Sequence, residues 1–149
     1  MKAKYKHTNI IARDWRALSQ FYQDVFGCVI VPPERDLSGA WLDKGTGVEN
    51  AQFAGTHLRL PGYGDSGPTL EIYQYSHNEP KPDTAANREG IMHLAFEVDD
   101  VVQATSDVLS HGGSKVGDIT SAEVEGVGLL TFVYLADPEG NIIELQAWE

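Results

Sequence analysis

The stretch His7–Asp14, which reads HTNIIARD, is matched 86 residues later by His93–Asp100, which reads HLAFEVDD. Each copy is a run of the β type that ends in an aspartate suited to capping a helix. Apolar residues then follow in both copies at spacings of three and four, and glycines stand where each helix should end, at Gly27 and at Gly112–Gly113. The sequence therefore predicts a strand and a helix twice, in two equivalent halves.

The end of each half also repeats, as a turn that leads into a strand with a glutamate. Gly67 and Glu71 in the first half correspond to Gly140 and Glu144 in the second. The first half has 13 more residues between its helix and this last strand, and insertions of that size usually lie in surface loops. Further strands are predicted at Trp41–Asp43, Gln52–Leu60 and Leu129–Leu135. Each half is then a β-α-β-β-β module, and the fold class is α+β.

The length of 149 residues fits a single domain with one hydrophobic core. Within this domain, we place module one at about 1–78 and module two at about 90–149. The connector between them, at about 79–89, is rich in polar residues and contains two prolines.

The charge balance excludes several kinds of partner. Acidic residues outnumber basic ones by 22 to 11, so the net charge is −11, and this argues against nucleic acids and anionic membranes. No apolar run is long enough to span a bilayer, and no signal-peptide pattern is found, so we expect a cytoplasmic protein. Cys28, the single cysteine, lies in an apolar run and is expected to be a buried residue without chemistry.

Two histidines and two glutamates occupy equivalent places in the two halves. His7 and His93 lie near the starts of equivalent strands, and Glu71 and Glu144 lie inside equivalent final strands. Taken singly, each is more often a satisfied or solvent-facing polar residue than a ligand. Recurrence in both halves favours a site, because two half-sheets that face each other would bring the four side chains together. Two imidazoles and two carboxylates suit a divalent ion of the Zn, Ni, Co, Mn or Fe class.

Other polar and aromatic side chains are candidates for a substrate pocket. His57 and Arg59 share one face of a predicted strand, because side chains alternate along it. The candidates for pocket residues are His57, Arg59, Tyr73, Phe53 and Arg13. Trp41, Tyr75 and Trp148 could add apolar walls, although aromatic residues of a core would look the same.

Three segments resemble the vicinal oxygen chelate superfamily, which includes glyoxalase I, methylmalonyl-CoA epimerase, extradiol dioxygenases and antibiotic-resistance proteins. These segments are Phe21–Gly27, Gly90–Asp100 and Asp137–Leu145, the last of which is similar to the characteristic C-terminal signature of the family. The resemblance covers nearly the whole chain.

The resemblance implies that the two modules form an open, curved mixed sheet around a metal pocket. It also implies that His7, Glu71, His93 and Glu144 are the metal ligands, a set similar to that of glyoxalase I. The epimerase usually has glutamine at the place of Glu71, whereas Glu89–Phe96 looks closer to the epimerase branch. Since members of the family commonly pair, a homodimer is expected.

The function implied is that of a divalent-metal-dependent lyase or isomerase of the glyoxalase type. It would act on a small oxygen-chelating carbonyl substrate through a metal-stabilised enediolate. Glu144 is the first candidate for the catalytic base, and Glu71 is the second. The alternatives are a CoA-thioester epimerase and a metal-free protein that binds a small molecule such as a drug, and an extradiol dioxygenase fits less well. A CoA substrate would need a local basic patch, for which the candidates are Arg13, Arg16, Arg59 and Arg88.

Overall fold

The first half of the repeat forms a strand and a helix with the predicted caps. Strand β1 (His7–Ile11) is followed by helix α1 (Trp15–Phe26) in the computed structural model, which describes all residues from Met1 to Glu149. The carboxylate of Asp14 accepts hydrogen bonds from the backbone N–H groups of Arg16 and Ala17. Gly27 ends the helix with φ 65°, a left-handed conformation that glycine adopts without steric cost.

The chain divides into two compact units, and unit 1 comprises Met1–Pro80. After α1, its elements are β2 (Val29–Ser38), α2 (Ala40–Thr46), β3 (Gln52–Arg59), a 3-10 turn (Gly64–Ser66) and β4 (Thr69–Tyr75). The four strands form one mixed sheet in the order β1-β4-β3-β2. β1 is parallel to β4, whereas β3 is antiparallel to both of its neighbours.

Unit 2 comprises Lys81–Glu149 and repeats this topology. Its elements are β5 (His93–Glu97), α3 (Val101–Ser110), β6 (Ser114–Lys115), β7 (Thr120–Val124), β8 (Gly128–Ala136) and β9 (Ile142–Trp148). β5 is parallel to β9, β9 is antiparallel to β8, and both β6 and β7 pair with β8. The α+β class and the repeated core of the two modules are confirmed, although α2 is additional in unit 1 and unit 2 has five strands instead of the predicted four. No helix in the chain combines the length and the apolar character needed to cross a membrane.

The two faces of each sheet differ in character. Leu70 and Ile72 of β4 are fully buried on the face that packs against α1, and Ile143 and Leu145 of β9 are fully buried in unit 2. Because side chains alternate along a strand, Glu71 and Glu144 point to the opposite face in their units. We call this opposite face the site face. Burial of the apolar neighbours therefore fixes the direction of each glutamate.

The strand predicted at Trp41–Asp43 is wrong, because these residues lie in α2. The second strand of unit 1 is instead β2, which pairs with β3 along the edge of the sheet. Pro32 and Pro33 lie at a break in this pairing, where prolines are tolerated because an edge strand needs fewer backbone donors. α2 has no counterpart in unit 2, and it supplies part of the longer first half.

Candidate metal centre

A histidine and a glutamate meet on the site face of unit 1. The register of β1 on β4 places Asn9 beside Glu71, so His7 lies two residues before the partner of Glu71. His7 Nδ1 is 3.1 Å from Glu71 Oε1. Glu71 is 8% exposed, so its carboxylate lies in a largely dehydrated position.

His57 and Tyr73 complete a cluster around the same carboxylate. His57 lies directly beside Glu71 in the β3–β4 register, and its Nε2 is 3.3 Å from Glu71 Oε1 and 2.5 Å from the Tyr73 hydroxyl. Burial lowers the pKa of His57, and the Glu71 carboxylate opposes that shift. Burial raises the pKa of Tyr73 to about 12, and the carboxylate of Glu71 adds to the rise. Glu71 is thus surrounded by groups that can donate hydrogen bonds.

The pair in unit 2 has the same construction. Ala95 lies beside Glu144 in the β5–β9 register, so His93 stands two residues before the partner of its glutamate, as His7 does. His93 Nε2 is 2.8 Å from Glu144 Oε2. Tyr134 occupies the position beside Glu144 that His57 occupies beside Glu71, and its ring lies 5.2 Å from the His93 ring.

A local turn sets the start of the strand that carries Glu144. The buried carboxylate of Asp137 accepts hydrogen bonds from the backbone N–H groups of Glu139 and Asn141 and from the side-chain amide of Asn141. Lys81 and Thr84 bind the same turn, through Asn141 Oδ1 and the Gly140 carbonyl. The segment Asp137–Leu145 therefore enters β9 through a turn that is held by several hydrogen bonds.

The donor set of each pair fits a divalent metal ion. Imidazole nitrogen and carboxylate oxygen are ordinary ligands of Zn, Mn, Ni and Fe, at bond lengths of about 2.1 Å, and two such ligands at right angles lie about 3 Å apart. The His7–Glu71 and His93–Glu144 separations of 3.1 and 2.8 Å agree with that value. The structure brings no group of three or more His, Cys, Asp or Glu side chains together to hold an ion. Each unit thus offers two ligands.

The other residues proposed for the pocket have different surroundings. Phe53 and Tyr73 stack with ring centroids 4.4 Å apart, and Phe53 packs with Tyr75 in a cluster on the site face that includes Leu42 of α2. Among the remaining candidates, Arg59 forms an ion pair with Asp65 at 3.1 Å. The other three side chains are exposed: Arg13, Trp41 and Trp148.

Arg35 was not anticipated from the sequence. It lies on the site face of β2. In the strand register, Arg35 stands opposite Gly55 of β3, and Gly55 stands opposite Tyr73 of β4. Its Nη1 atom is buried and has no hydrogen-bond partner. The flanking residues Pro33, Glu34 and Asp36 look like a loop, so nothing local in the sequence indicates an inward-facing arginine.

Solved structures of similar fold come from several bacteria. A glyoxalase family protein from Bacillus cereus has a TM-score of 0.74 and 18% identity, over 99% of this chain and 94% of that one. A glyoxylase/bleomycin resistance protein/dioxygenase domain from Frankia sp. has a TM-score of 0.60 and 17% identity over the full length of both chains. The fosfomycin resistance protein FosX from Listeria monocytogenes, solved with Mn(II) and sulfate, has a TM-score of 0.57 and 14% identity over 100% and 95% of the chains.

No curated protein matches the chain in sequence. At these low identities, the structural neighbours show the fold alone. The family assignment depends on the sequence itself, for which the model described as "Glyoxalase-like domain" matches residues 7–146. That match spans both His–Glu pairs and nearly all of both units, and the chain therefore belongs to the glyoxalase-like domain family.

Proposed function

We propose that the protein is a divalent-metal-dependent lyase or isomerase of the glyoxalase type, with His7, Glu71, His93 and Glu144 as its metal ligands. The observation that carries the proposal is the register. In both units, the histidine stands two residues before the partner of the glutamate, on a parallel strand pair. Solubility alone would not require a histidine and a glutamate at the same register in both units, whereas a shared role as ligands would.

The proposed reaction moves a proton at a carbon next to a carbonyl group. A bound divalent ion would supply positive charge beside the oxygens of the substrate. The C–H bond breaks: its proton goes to a carboxylate oxygen of the protein, and its electron pair shifts towards the carbonyl oxygen of the substrate. The carboxyl group then returns the proton to a neighbouring carbon, where a new C–H bond forms. Glu144 is the proposed base because its carboxylate has fewer partners than that of Glu71. Glu144 contacts His93, whereas Glu71 contacts His7, His57 and Tyr73. A carboxylate with fewer partners moves more freely to the substrate.

Metal content tests this proposal most directly. Protein purified without a metal-affinity column is expected to contain a divalent ion, as measured by elemental analysis. His7→Ala and His93→Ala should each lower the affinity for that ion, because each removes one ligand. His77→Ala is the matched control, since His77 is exposed and lies outside both sheets. Wild-type protein without metal, or unchanged affinity in both ligand variants, would contradict the proposal.

A metal-free binding protein is the second candidate function. The stacked rings of Phe53 and Tyr73, with Tyr75 beside them, offer an aromatic surface suited to a small apolar compound. In that case, each His–Glu contact would be a hydrogen bond that stabilises its sheet. The same elemental analysis separates the two candidates, since this one requires no metal.

An epimerase acting on a CoA thioester has less support. Three of the four arginines considered for a basic patch bind other groups: Arg16 pairs with Glu34, Arg59 pairs with Asp65, and Arg88 binds the Asp83 carbonyl. A large polyanion would have to displace these contacts in a chain of net charge −11. We therefore favour a smaller substrate.

A homodimer and a cytoplasmic location stay predictions. Light scattering of the purified protein at several concentrations measures its oligomeric state. Fractionation of cells that make the protein measures its location.

A further inference from the structure

Arg35 stands out among the five arginines of the chain. Its Nη1 is the one buried side-chain nitrogen or oxygen atom without a hydrogen-bond partner. A guanidinium group carries its charge at any ordinary pH, so it cannot escape the cost of burial by losing a proton. Buried polar atoms nearly always have partners, and an exception needs a specific explanation.

The position of Arg35 connects it with the cluster around Glu71. Arg35 pairs with Gly55 across β2 and β3, and Gly55 pairs with Tyr73 across β3 and β4. A side chain at position 55 would meet the Tyr73 ring, with its Cβ only 2.4 Å from Tyr73 Cδ1. The ring of Tyr73 therefore lies over Gly55 and leans from β4 towards β2. Arg35 and Tyr73 thus approach each other on the site face, beside His57.

The fold does not require a cation at this position. Thr120 occupies the equivalent register position in unit 2, where it pairs with Phe132 and Phe132 pairs with Gln146. In unit 2, β7 pairs with β8 at the place where β2 pairs with β3, and it does so with an uncharged side chain at this position. The arginine in unit 1 therefore has a reason other than the assembly of the sheet.

We propose that Arg35 binds an oxyanion of the substrate, so that the substrate is a small anion rather than a neutral carbonyl compound. A guanidinium group presents a planar array of N–H donors that matches the paired oxygens of a carboxylate, phosphonate or phosphate. Arg35 is only partly buried, so such a group can reach the accessible part of a guanidinium group whose Nη1 has no acceptor within the protein. It also gives an acidic protein of net charge −11 a local means of holding an anion. This inference rests on the proposed function, since it names the substrate class for the same site.

Simple oxyanions test the inference on the purified protein. Acetate, methylphosphonate and inorganic phosphate are titrated separately at constant ionic strength, and the side-chain N–H signals of the arginines are followed by NMR. The expected result is a saturable shift of the Arg35 signal with at least one probe. Tighter binding of acetate indicates a carboxylate substrate, whereas tighter binding of the other two indicates a phosphorus oxyanion.

Substitutions identify the residue that is responsible. Arg35→Gln should weaken binding of the probe by about tenfold or more, which is the usual loss when a charged hydrogen bond is removed. Arg35→Lys keeps the charge and should give an intermediate loss. Arg16→Gln makes the same charge change on a guanidinium group that already pairs with Glu34, and it should bind as the wild type does. Equal affinity in Arg35→Gln and wild type, or no binding of any probe by wild type, overturns the inference.

Two further measurements separate this result from the proposed function. Metal content is determined on the same samples, and Arg35→Gln should keep the metal content of the wild type. His7→Ala should still show the Arg35 shift, because the anion then binds the guanidinium group rather than an ion. The melting temperature of Arg35→Gln should equal or exceed that of the wild type, since a buried atom without a partner is removed. A clear fall in melting temperature would show a structural arginine and would overturn the inference.

Discussion

The site faces of the two units share one pair of residues and differ in almost everything around it. Both have a histidine and a glutamate at the same register, with the glutamate between buried apolar neighbours. Unit 1 places His57 beside its glutamate, whereas unit 2 places Tyr134 there. Under the proposed function, the shared pair would bind the metal ion, and the differing neighbours would contact the substrate.

The difference also concerns charge and crowding. Unit 1 has Arg35, Gly55 and Tyr73 in one row across its strands. Unit 2 has Thr120, Phe132 and Gln146 in the equivalent row. Under the proposed function, this difference predicts a division of labour in which Arg35 of unit 1 would bind the substrate and Glu144 of unit 2 would move the proton.

The largest expected effect comes from removing that carboxylate. Under the proposed function, Glu144→Gln should lower turnover by about 10²- to 10⁴-fold, the usual contribution of a general base, measured with a substrate that the wild-type protein converts. Glu71→Gln should lower turnover less, because Glu71 is held by His7, His57 and Tyr73. Equal losses in the two variants would break the proposed division of labour, and unchanged turnover in Glu144→Gln would refute its role as the base.

The features that could be predicted from the sequence are those encoded by neighbouring residues. The caps at Asp14 and Asp100 follow from residue type and position, and each accepts two backbone hydrogen bonds as expected. The directions of Glu71 and Glu144 follow from the apolar residues beside them. The repeat strengthens both predictions, because the capping aspartate and the glutamate recur at equivalent places in the two halves.

The features that could not be predicted depend on distant pairing. Three residues at Trp41–Asp43 do not distinguish a strand from a helix, and α2 forms there with Leu42 packed against Phe53. Arg35 faces inward only because β2 resumes its pairing with β3 after the break at the two prolines. Arg59 finds its partner, Asp65, in the loop that follows its strand. None of these contacts has a signature in the local sequence.

Gly55 offers the next largest effect. A Cβ at this position would lie 2.1 Å from the Ile72 carbonyl oxygen, and backbone cannot move aside as a flexible side chain does. Gly55→Ala should therefore lower the free energy of unfolding by about 1–3 kcal/mol, measured by chemical denaturation. Gly45→Ala is the control, because it lies in α2 with nothing within 4 Å, and it should stabilise by about 0.5–1 kcal/mol. Unchanged stability in Gly55→Ala would contradict the close approach of the Ile72 carbonyl and the Tyr73 ring to Gly55.

The helix caps are expected to behave alike in the two units. Asp14→Ala and Asp100→Ala each remove a carboxylate that accepts two backbone N–H groups at a helix N-terminus. Each should lower the free energy of unfolding by about 1 kcal/mol. Asp118→Ala serves as the control, because this exposed residue makes only a long contact of 3.7 Å with Lys115 and should change stability by less than about 0.5 kcal/mol. A large difference between the two cap variants would mean that the equivalence of the units does not extend to their helices.

The last prediction distinguishes the units by a pH-dependent change in stability. Cys28, in unit 1, is the only cysteine, and burial raises the pKa of its thiol to about 11 from 9.0. The folded protein therefore keeps a proton that the unfolded chain loses, so this contribution to stability is complete below pH 9 and is lost as the pH rises towards 11. Cys28→Ala lacks the contribution, and the gap in unfolding free energy between wild type and this variant should narrow over that pH range. A constant gap would contradict a buried neutral thiol. A narrowing gap would tie the alkaline loss to unit 1, because unit 2 has no thiol to ionise.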